Sequence, residues 1–457
     1  MILLSNCLKI ATFNDLNDEL TGYDILIEDN IIQKIGKDIK IPNEVSVREI
    51  DCSKYLIIPG MINCHHHFYQ TLTRNLPGAQ DAKLFEWLTY LYPIWAGMDS
   101  NAIYYSTLLA TAELLKTGAT TSSDHMYLYP ADFDGDIMEL QFEAAEKTGI
   151  RFYPTRGSMT RGQSSGGLPP DNVVQTTDEV VRDMERVIDK YHNSDPLSMR
   201  KIILAPCSPF SVDEELMIRT AELARDKGVN LHTHLAETED EEEYCIEKYG
   251  KRPLDAMADW NWLGDDVFFA HGIWFDDREL NILSETKTGI CHCPSSNMRL
   301  GSGIARVREM LDMGISVGLG VDGSSSNDSS DMLGETRNAM LIQRIKYGSS
   351  GLSAREALRM ATRGGSQLMN SPQIGSIEEG KAADLAIFNM DSVQFAGALS
   401  DPLTAIVFSG YNHQTEYTIV NGNIVVENGQ LITYNENTII EKANEISLNL
   451  VNKYANH

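Results

Sequence analysis

From residue 57 to residue 323 the chain repeats one pattern: a short apolar run, a polar break, then a stretch with apolar positions every three or four residues. The apolar runs are Ile57–His67, Ala119–Met126, Ile150–Met159, Lys201–Phe210, Val229–Glu237, Val267–Ile273, Gly289–Ser295 and Ser316–Gly323. Runs of this length between polar breaks predict strands. The helical spacing predicts helices over Tyr104–Lys116, Ile137–Lys147, Thr177–Lys190, Glu214–Lys227 and Ile304–Met313. Three of these close on a basic residue and glycine, at Lys116-Thr117-Gly118, Lys147-Thr148-Gly149 and Lys227-Gly228, the chemistry of a helix C-cap. About eight strands, each followed by helix, match a closed (β/α)8 barrel, an α/β TIM barrel. The alternative is an open doubly wound sheet, but the Gly-x-Gly-x-x-Gly at Gly318–Gly323 falls inside the last predicted strand and does not open a helix after one.

The two ends follow another pattern. Residues 1–58 carry short alternating strands, with Gly22–Asn30 running into Ile31–Ile35. From about residue 375 the strands are Asp384–Phe388, Tyr417–Asn421 and Ile424–Glu427, with Asn421-Gly422 as a hairpin turn. Neither end alternates strand with helix. The economical organisation is a small β-sandwich domain made from both termini, residues 1–58 and 372–457, with the barrel of residues 59–371 inserted between them. Thr438 to Tyr454 reads as a terminal helix.

Composition narrows the partners more than the fold. At 457 residues, 42% hydrophobic and 23% charged, the chain is ordinary globular material. Lys and Arg number 38 against 65 Asp and Glu, a net charge of −27, which opposes nucleic-acid backbones and anionic membranes as partners. It places no limit on a small neutral substrate. The N-terminus has no basic region before its apolar run, which Ser5 and Asn6 break at once, and no apolar stretch is long enough to span a membrane. The expected location is the cytoplasm. The seven cysteines are scattered without a Cys-x-x-Cys, so no disulfide framework is expected, and Cys291-His292-Cys293 reads as strand alternation.

The chemistry gathers at the predicted strand ends, where barrels of this kind build their sites. The first strand ends in His65-His66-His67, and residues two apart share a face, so His65 and His67 point inward together. Two imidazoles on one face begin a zinc site. The fifth strand carries His232-Thr233-His234-Leu235-Ala236-Glu237: one histidine offers a third nitrogen, and Glu237 lies within reach of a metal-activated water. The sixth ends in Ala270-His271-Gly272 and the eighth in Val321-Asp322-Gly323. Core packing does not ordinarily end four separate strands in His, His, His and Asp. In the acidic run that Glu237 opens, Glu239, Asp240 and Glu241–Glu243 are expected to form a solvated first turn of helix.

These residues resemble the amidohydrolase superfamily, in its aminohydrolase branch of triazine hydrolases, guanine deaminases and S-adenosylhomocysteine deaminases. The likeness is carried, in family order, by Pro59-Gly60-Met61-Ile62-Asn63-Cys64-His65-His66-His67, His234-Leu235-Ala236-Glu237, Ala270-His271, Cys293-Pro294-Ser295-Ser296-Asn297 and Val321-Asp322-Gly323. The end of the fourth strand, Ala205-Pro206-Cys207, holds no lysine of the kind binuclear members carboxylate. The resemblance therefore implies one divalent metal, zinc or alternatively iron, held by His65, His67, His234 and Asp322, with His232 in a structural role. It also implies catalytic parts for Asp322 as acceptor of the water proton, Glu237 as proton shuttle and His271 as stabiliser of charge on the incoming oxygen.

Specificity is expected in the loops after the first, third and fourth strands. Gln70 resembles the amide that reads the base in His-x-His-x-x-Gln members, and an amide suits a lactam edge. Trp87 is placed as a pocket wall, Arg156 as a reader of the lactam or remote ring, and Asp124-His125 behind the metal residues. Cys207 stands where adenosine-type deaminases of the branch carry histidine. Together with Arg156-Gly157-Ser158-Met159, Gly166-Gly167-Leu168-Pro169-Pro170 and Ser122-Ser123-Asp124-His125, it is similar to the 8-oxoguanine deaminase group. The expected reaction is deamination of a 2-amino-oxo purine or pyrimidine by water. The alternatives are guanine deamination proper, a triazine or hydroxyatrazine aminohydrolase, an S-adenosylhomocysteine deaminase, or a metal-stabilised binding protein without activity. The helix-rich segment after the first strand offers a surface for a homo-oligomer.

Overall fold

A computed structural model describes residues 1–42, 44–409 and 413–454. Eight parallel strand positions close into a ring: β1 (Met61–Asn63), β2 (Ala119–Ser122, resumed at His125–Met126), β3 (Arg151–Phe152, resumed at Thr155–Ser158), β4 (Ile203–Pro206), β5 (Asn230–Leu235), β6 (Val267–His271), β7 (Gly289–His292) and β8 (Val317–Leu319). Closure is made by Leu319 of β8 opposite Asn63 of β1, while β2 joins β3 at Thr121 opposite Arg151 and again at His125 opposite Thr155. Both faces of these strands are covered, by barrel interior and by helices, which is why their sequences read as unbroken apolar runs.

The helices begin and end where the sequence chemistry places them. Thr177–Tyr191 opens on a capping box of Thr176 and Glu179, and Glu214–Lys227 closes on Gly228. Gly149 and Gly228 adopt the left-handed C-cap conformation with φ of 84° and 67°. Val307–Asp312 is shorter at both ends than the periodicity suggests.

The strands are shorter than their apolar runs, for two reasons. The first run divides at Gly60, where a Cβ would collide with the Thr120 side chain. Before it, Tyr55–Pro59 pairs with Leu385–Asn389 and with Lys9–Ala11 in a seven-stranded sheet drawn from both ends of the chain. After it, Met61–Asn63 enters the barrel. At the far ends the backbone leaves the extended region, at Ala236 (φ 54°), His271 (φ 74°) and Asp322 (φ 63°), all left-handed without being glycine.

A second, four-stranded sheet from residues 2–51 packs on the seven-stranded one through Leu4, Ile25, Ile27, Ile57, Leu385 and Ile419. The predicted hairpin turn is present, with positive φ at both Asn421 and Gly422. Arg151, buried in the barrel, donates from Nε and Nη2 to Asp384 at 2.9 and 3.1 Å, joining the barrel to this sheet. The terminal helix Glu436–Tyr454 returns to the segment after β1, where Ser447 Oγ donates to Leu72 O. Its Ala443 and Leu450 share a core with Trp87, Leu88 and Trp95.

Candidate active site

The ends of β1, β5, β6 and β8 deliver polar side chains to a common site. His65 and His67 follow β1, and the intervening His66 points away to Ser330 Oγ at 2.9 Å. The inward–outward alternation therefore continues beyond the last paired residue. His67 Nδ1 donates to His125 O at 2.8 Å, and His234 Nδ1 donates to Cys207 O at 2.6 Å. His232 Nδ1 donates to Phe268 O at 2.9 Å, so its Nε2 accepts from His65 Nδ1 at 2.8 Å. His65, His67 and His234 thus each spend an N–H on Nδ1 and turn Nε2 inward.

These lone pairs meet. His234 Nε2 lies 3.2 Å from His67 Nε2, and Asp322 Oδ1 lies 3.3 Å from His67 Nε2 and 3.5 Å from His65 Nε2. His65 Nε2 is buried with no hydrogen-bond partner among the described residues. Burial lowers the His65 and His234 pKa values, so neither ring brings a proton to relieve the repulsion. Three imidazole lone pairs and a carboxylate oxygen converging without a proton fit a divalent cation, and their outward hydrogen bonds are of the kind that orient metal ligands. His125 joins the cluster more closely than a supporting position would require: its Nε2 donates to Ala205 O, while its buried Nδ1 has no partner among the described residues.

Glu237 and His271 face this cluster from β5 and β6, with Glu237 Oε2 3.6 Å from His271 Nε2. Burial first, then the charges of Asp322 and Glu241, push the Glu237 carboxyl well above its ordinary value, as a proton carrier requires. Burial lowers His271 to about 3, so it is neutral. Asn297 Nδ2 donates to His271 Nδ1 at 3.0 Å, which leaves the His271 proton on Nε2, facing the cavity.

The cavity holds about 410 Å³ including its mouth, and is lined by Gln70, Trp87, Cys207 and Ser326 with the apolar side chains of Leu84, Leu88, Phe210 and Leu300. The Gln70 amide oxygen is buried without a partner among the described residues, and a Cβ at Gly323 would collide with it. Trp87 Nε1 donates to Ser325 O at 3.2 Å, which fixes the indole as a wall. Arg156 is a correction. It does not line the cavity: its Nε donates to Asp183 at 2.5 Å, Nη2 to Gln175 Oε1 at 2.8 Å and Nη1 to Gly157 O, with the guanidinium 3.7 Å over the Tyr129 ring. Each of its three nitrogens donates a hydrogen bond away from the cavity. Asp124, expected behind the metal residues, accepts from Phe68 N at 2.6 Å and Gln141 Nε2 at 2.5 Å.

Glu241 is the second correction. It is fully buried rather than solvated, unlike the exposed Glu239, Asp240 and Glu243 beside it. Its carboxylate accepts from Ala236 N at 2.9 Å and Glu237 N at 3.1 Å. The available signal is its spacing: Glu241 and the buried Cys245 lie four apart, on one helix face. Asn297 escapes sequence reasoning as a partner of His271, because only the fold brings the end of β7 to the end of β6.

Residues 56–425 match the amidohydrolase family, and the chain belongs to it. It is 43% identical over 404 residues to an 8-oxoguanine deaminase of Pseudomonas aeruginosa, covering 88% of this chain and 89% of that one. With a hydroxydechloroatrazine ethylaminohydrolase of a Pseudomonas species the identity is 34% over 434 residues, 92% and 90% of the two chains. The atrazine chlorohydrolase of Arthrobacter aurescens TC1, solved in complex with zinc, superposes with a TM-score of 0.93 at 33% identity over 98% of this chain and 100% of that one. The chain is a hydrolytic deaminase of a metal-dependent family.

Proposed function

We propose that the protein removes the amino group of a 2-amino-oxo purine or pyrimidine base, such as 8-oxoguanine, guanine or isocytosine, with water and with zinc as its metal. The observation that carries this reading is the Gln70 amide oxygen, without a hydrogen-bond partner among the described residues, in an aromatic-walled cavity that His67, His234 and Asp322 also line. Among the described residues lining that cavity none is Lys or Arg, so a flat neutral ring suits it better than a phosphorylated substrate. Relatives named for deamination of 8-oxoguanine and isoxanthopterin, both amino-oxo ring systems, support the same class.

His65, His67, His234 and Asp322 would hold the ion. A divalent metal bound there supplies the Lewis acidity that lowers the pKa of a water from about 15.7 to about 7. Asp322 accepts the proton as water adds to the carbon bearing the amine. Glu237 delivers a proton to the adjacent ring nitrogen, and His271 Nε2–H stabilises negative charge on the new oxygen. As the C–N bond breaks, the proton held by Asp322 passes to the leaving nitrogen and the new hydroxyl returns its proton to Glu237, which releases ammonia and leaves a carbonyl. Gln70 orients the ring, with Trp87 and Cys207 closing the walls around it.

Ammonia release from 8-oxoguanine, guanine, isocytosine, hydroxylated triazines and S-adenosylhomocysteine tests the substrate class, and turnover of S-adenosylhomocysteine alone would overturn it. Glu237→Gln is expected to lower kcat by at least about 1,000-fold while metal content, read by elemental analysis, stays at one ion per chain. Retained turnover in that variant would remove Glu237 from the mechanism.

A further inference from the structure

We propose that Glu241 is the positioning residue of the active site: its buried carboxylate clamps the left-handed turn at Ala236 and thereby aims the Glu237 side chain. The inference rests on the reading of Glu237 as the proton carrier. Glu237 makes one close polar contact among those described, the 3.6 Å approach to His271, so its own hydrogen bonds do little to fix its direction. Direction must come from the backbone. That backbone turns at Ala236 with φ of 54°, a conformation an L-residue with a Cβ adopts only when its surroundings impose it.

The imposed contact is the carboxylate. Glu241 Oε1 accepts from Ala236 N and Oε2 from Glu237 N, at 2.9 and 3.1 Å, so two consecutive N–H groups converge on one buried carboxyl group. On the other side of the same residue, Ala236 O accepts from Ile273 N at 2.8 Å and Trp274 N at 3.1 Å. Those donors lie two and three residues past His271. One peptide therefore registers the end of β5 with the end of β6, and Glu241 locks it. Glu241 itself is placed by the helix Glu239–Tyr249, with full burial beside Cys245. A solvated first-turn acid would stabilise that helix equally well. A buried one bonded to the two N–H groups before the helix serves the turn.

The test compares Glu241→Gln and Glu241→Ala, each alone and combined with Ala236→Gly, in the full chain loaded with zinc. Glycine reaches positive φ without the Cβ penalty, so it restores the turn without restoring the carboxylate. Hydrogen exchange at the Ala236 and Glu237 amides, read with no substrate present, is expected to quicken at least about 10-fold in both single variants, whose clamp is lost. On whichever base the wild type deaminates, kcat is expected to fall about 10- to 100-fold with KM changed less than about threefold and zinc retained, and Ala236→Gly to recover at least about fivefold. Unchanged exchange, kcat within about twofold of wild type, or a loss of folding or turnover that Ala236→Gly does not repair would each overturn the proposal. Because the exchange measurement needs no substrate, failure of the base panel leaves it readable and is told apart from failure of the clamp.

Discussion

His232 shows how a residue with no ligand atom to spare can still govern a metal site. Its Nδ1 is committed to Phe268 O, which makes its Nε2 an acceptor and assigns the His65 proton to Nδ1. Replacing it with phenylalanine keeps an aromatic ring beside Phe268 and removes both that acceptor and the Nδ1–H bond to Phe268 O. His65 Nδ1 then has no buried partner, the preference for a bare Nε2 is lost, and zinc affinity is expected to fall about 10- to 100-fold. Competition with a chelator of known affinity measures this; unchanged affinity would show that His65 is oriented by packing alone. At this scale the sequence shows which side chains are chemical but not which partners they choose. His65, His67 and Asp322 were legible because alternation and strand-end position are local properties. Arg156 was not, since its partners Asp183 and Gln175 lie on a helix and loop that only the assembled β3 region brings together.

At the scale of elements, the parallel strands were legible as apolar runs and their ends were not. The runs continue past the last paired residue because the loops that follow are buried too, as at His65–Phe68 and Ala236–Glu237. The loop after β7 shows the cost of such burial. Glu335, on the helix Met332–Tyr347, accepts from Ser295 N at 2.9 Å and also from Ser295 Oγ. Burial raises its carboxyl from 4.5 to about 8, more than the Ser295 contacts lower it. The folded state thus keeps a proton between those values that the unfolded chain gives up. Stability from this group is present below about pH 4.5 and is lost as pH rises toward about 8. Glu335→Gln, which stays neutral and retains an acceptor for Ser295, is expected to flatten that part of the thermal melting profile between pH 5 and 8. A profile with the wild-type slope would place the titrating group elsewhere.

Across the whole molecule, charge and chemistry separate. The net charge of −27 belongs to the chain as a whole, while the cavity presents imidazoles, an amide, aromatic rings and the carboxyl groups of Glu237 and Asp322. A neutral base gains nothing from long-range steering, and an anionic one would be repelled before reaching the mouth. Raising sodium chloride from about 0.05 to about 0.5 M shortens the screening length from over 10 Å to under 5 Å. The melting temperature is therefore expected to rise as like-charge repulsion is screened, while kcat/KM for a neutral amino-oxo base changes less than about twofold. The same series run on an anionic analogue of the base should show kcat/KM climbing with salt, because screening removes the barrier that the neutral ring never meets. A steep salt dependence for the neutral base would mean that charge at the mouth takes part in binding, and would direct attention away from Gln70 and the aromatic walls.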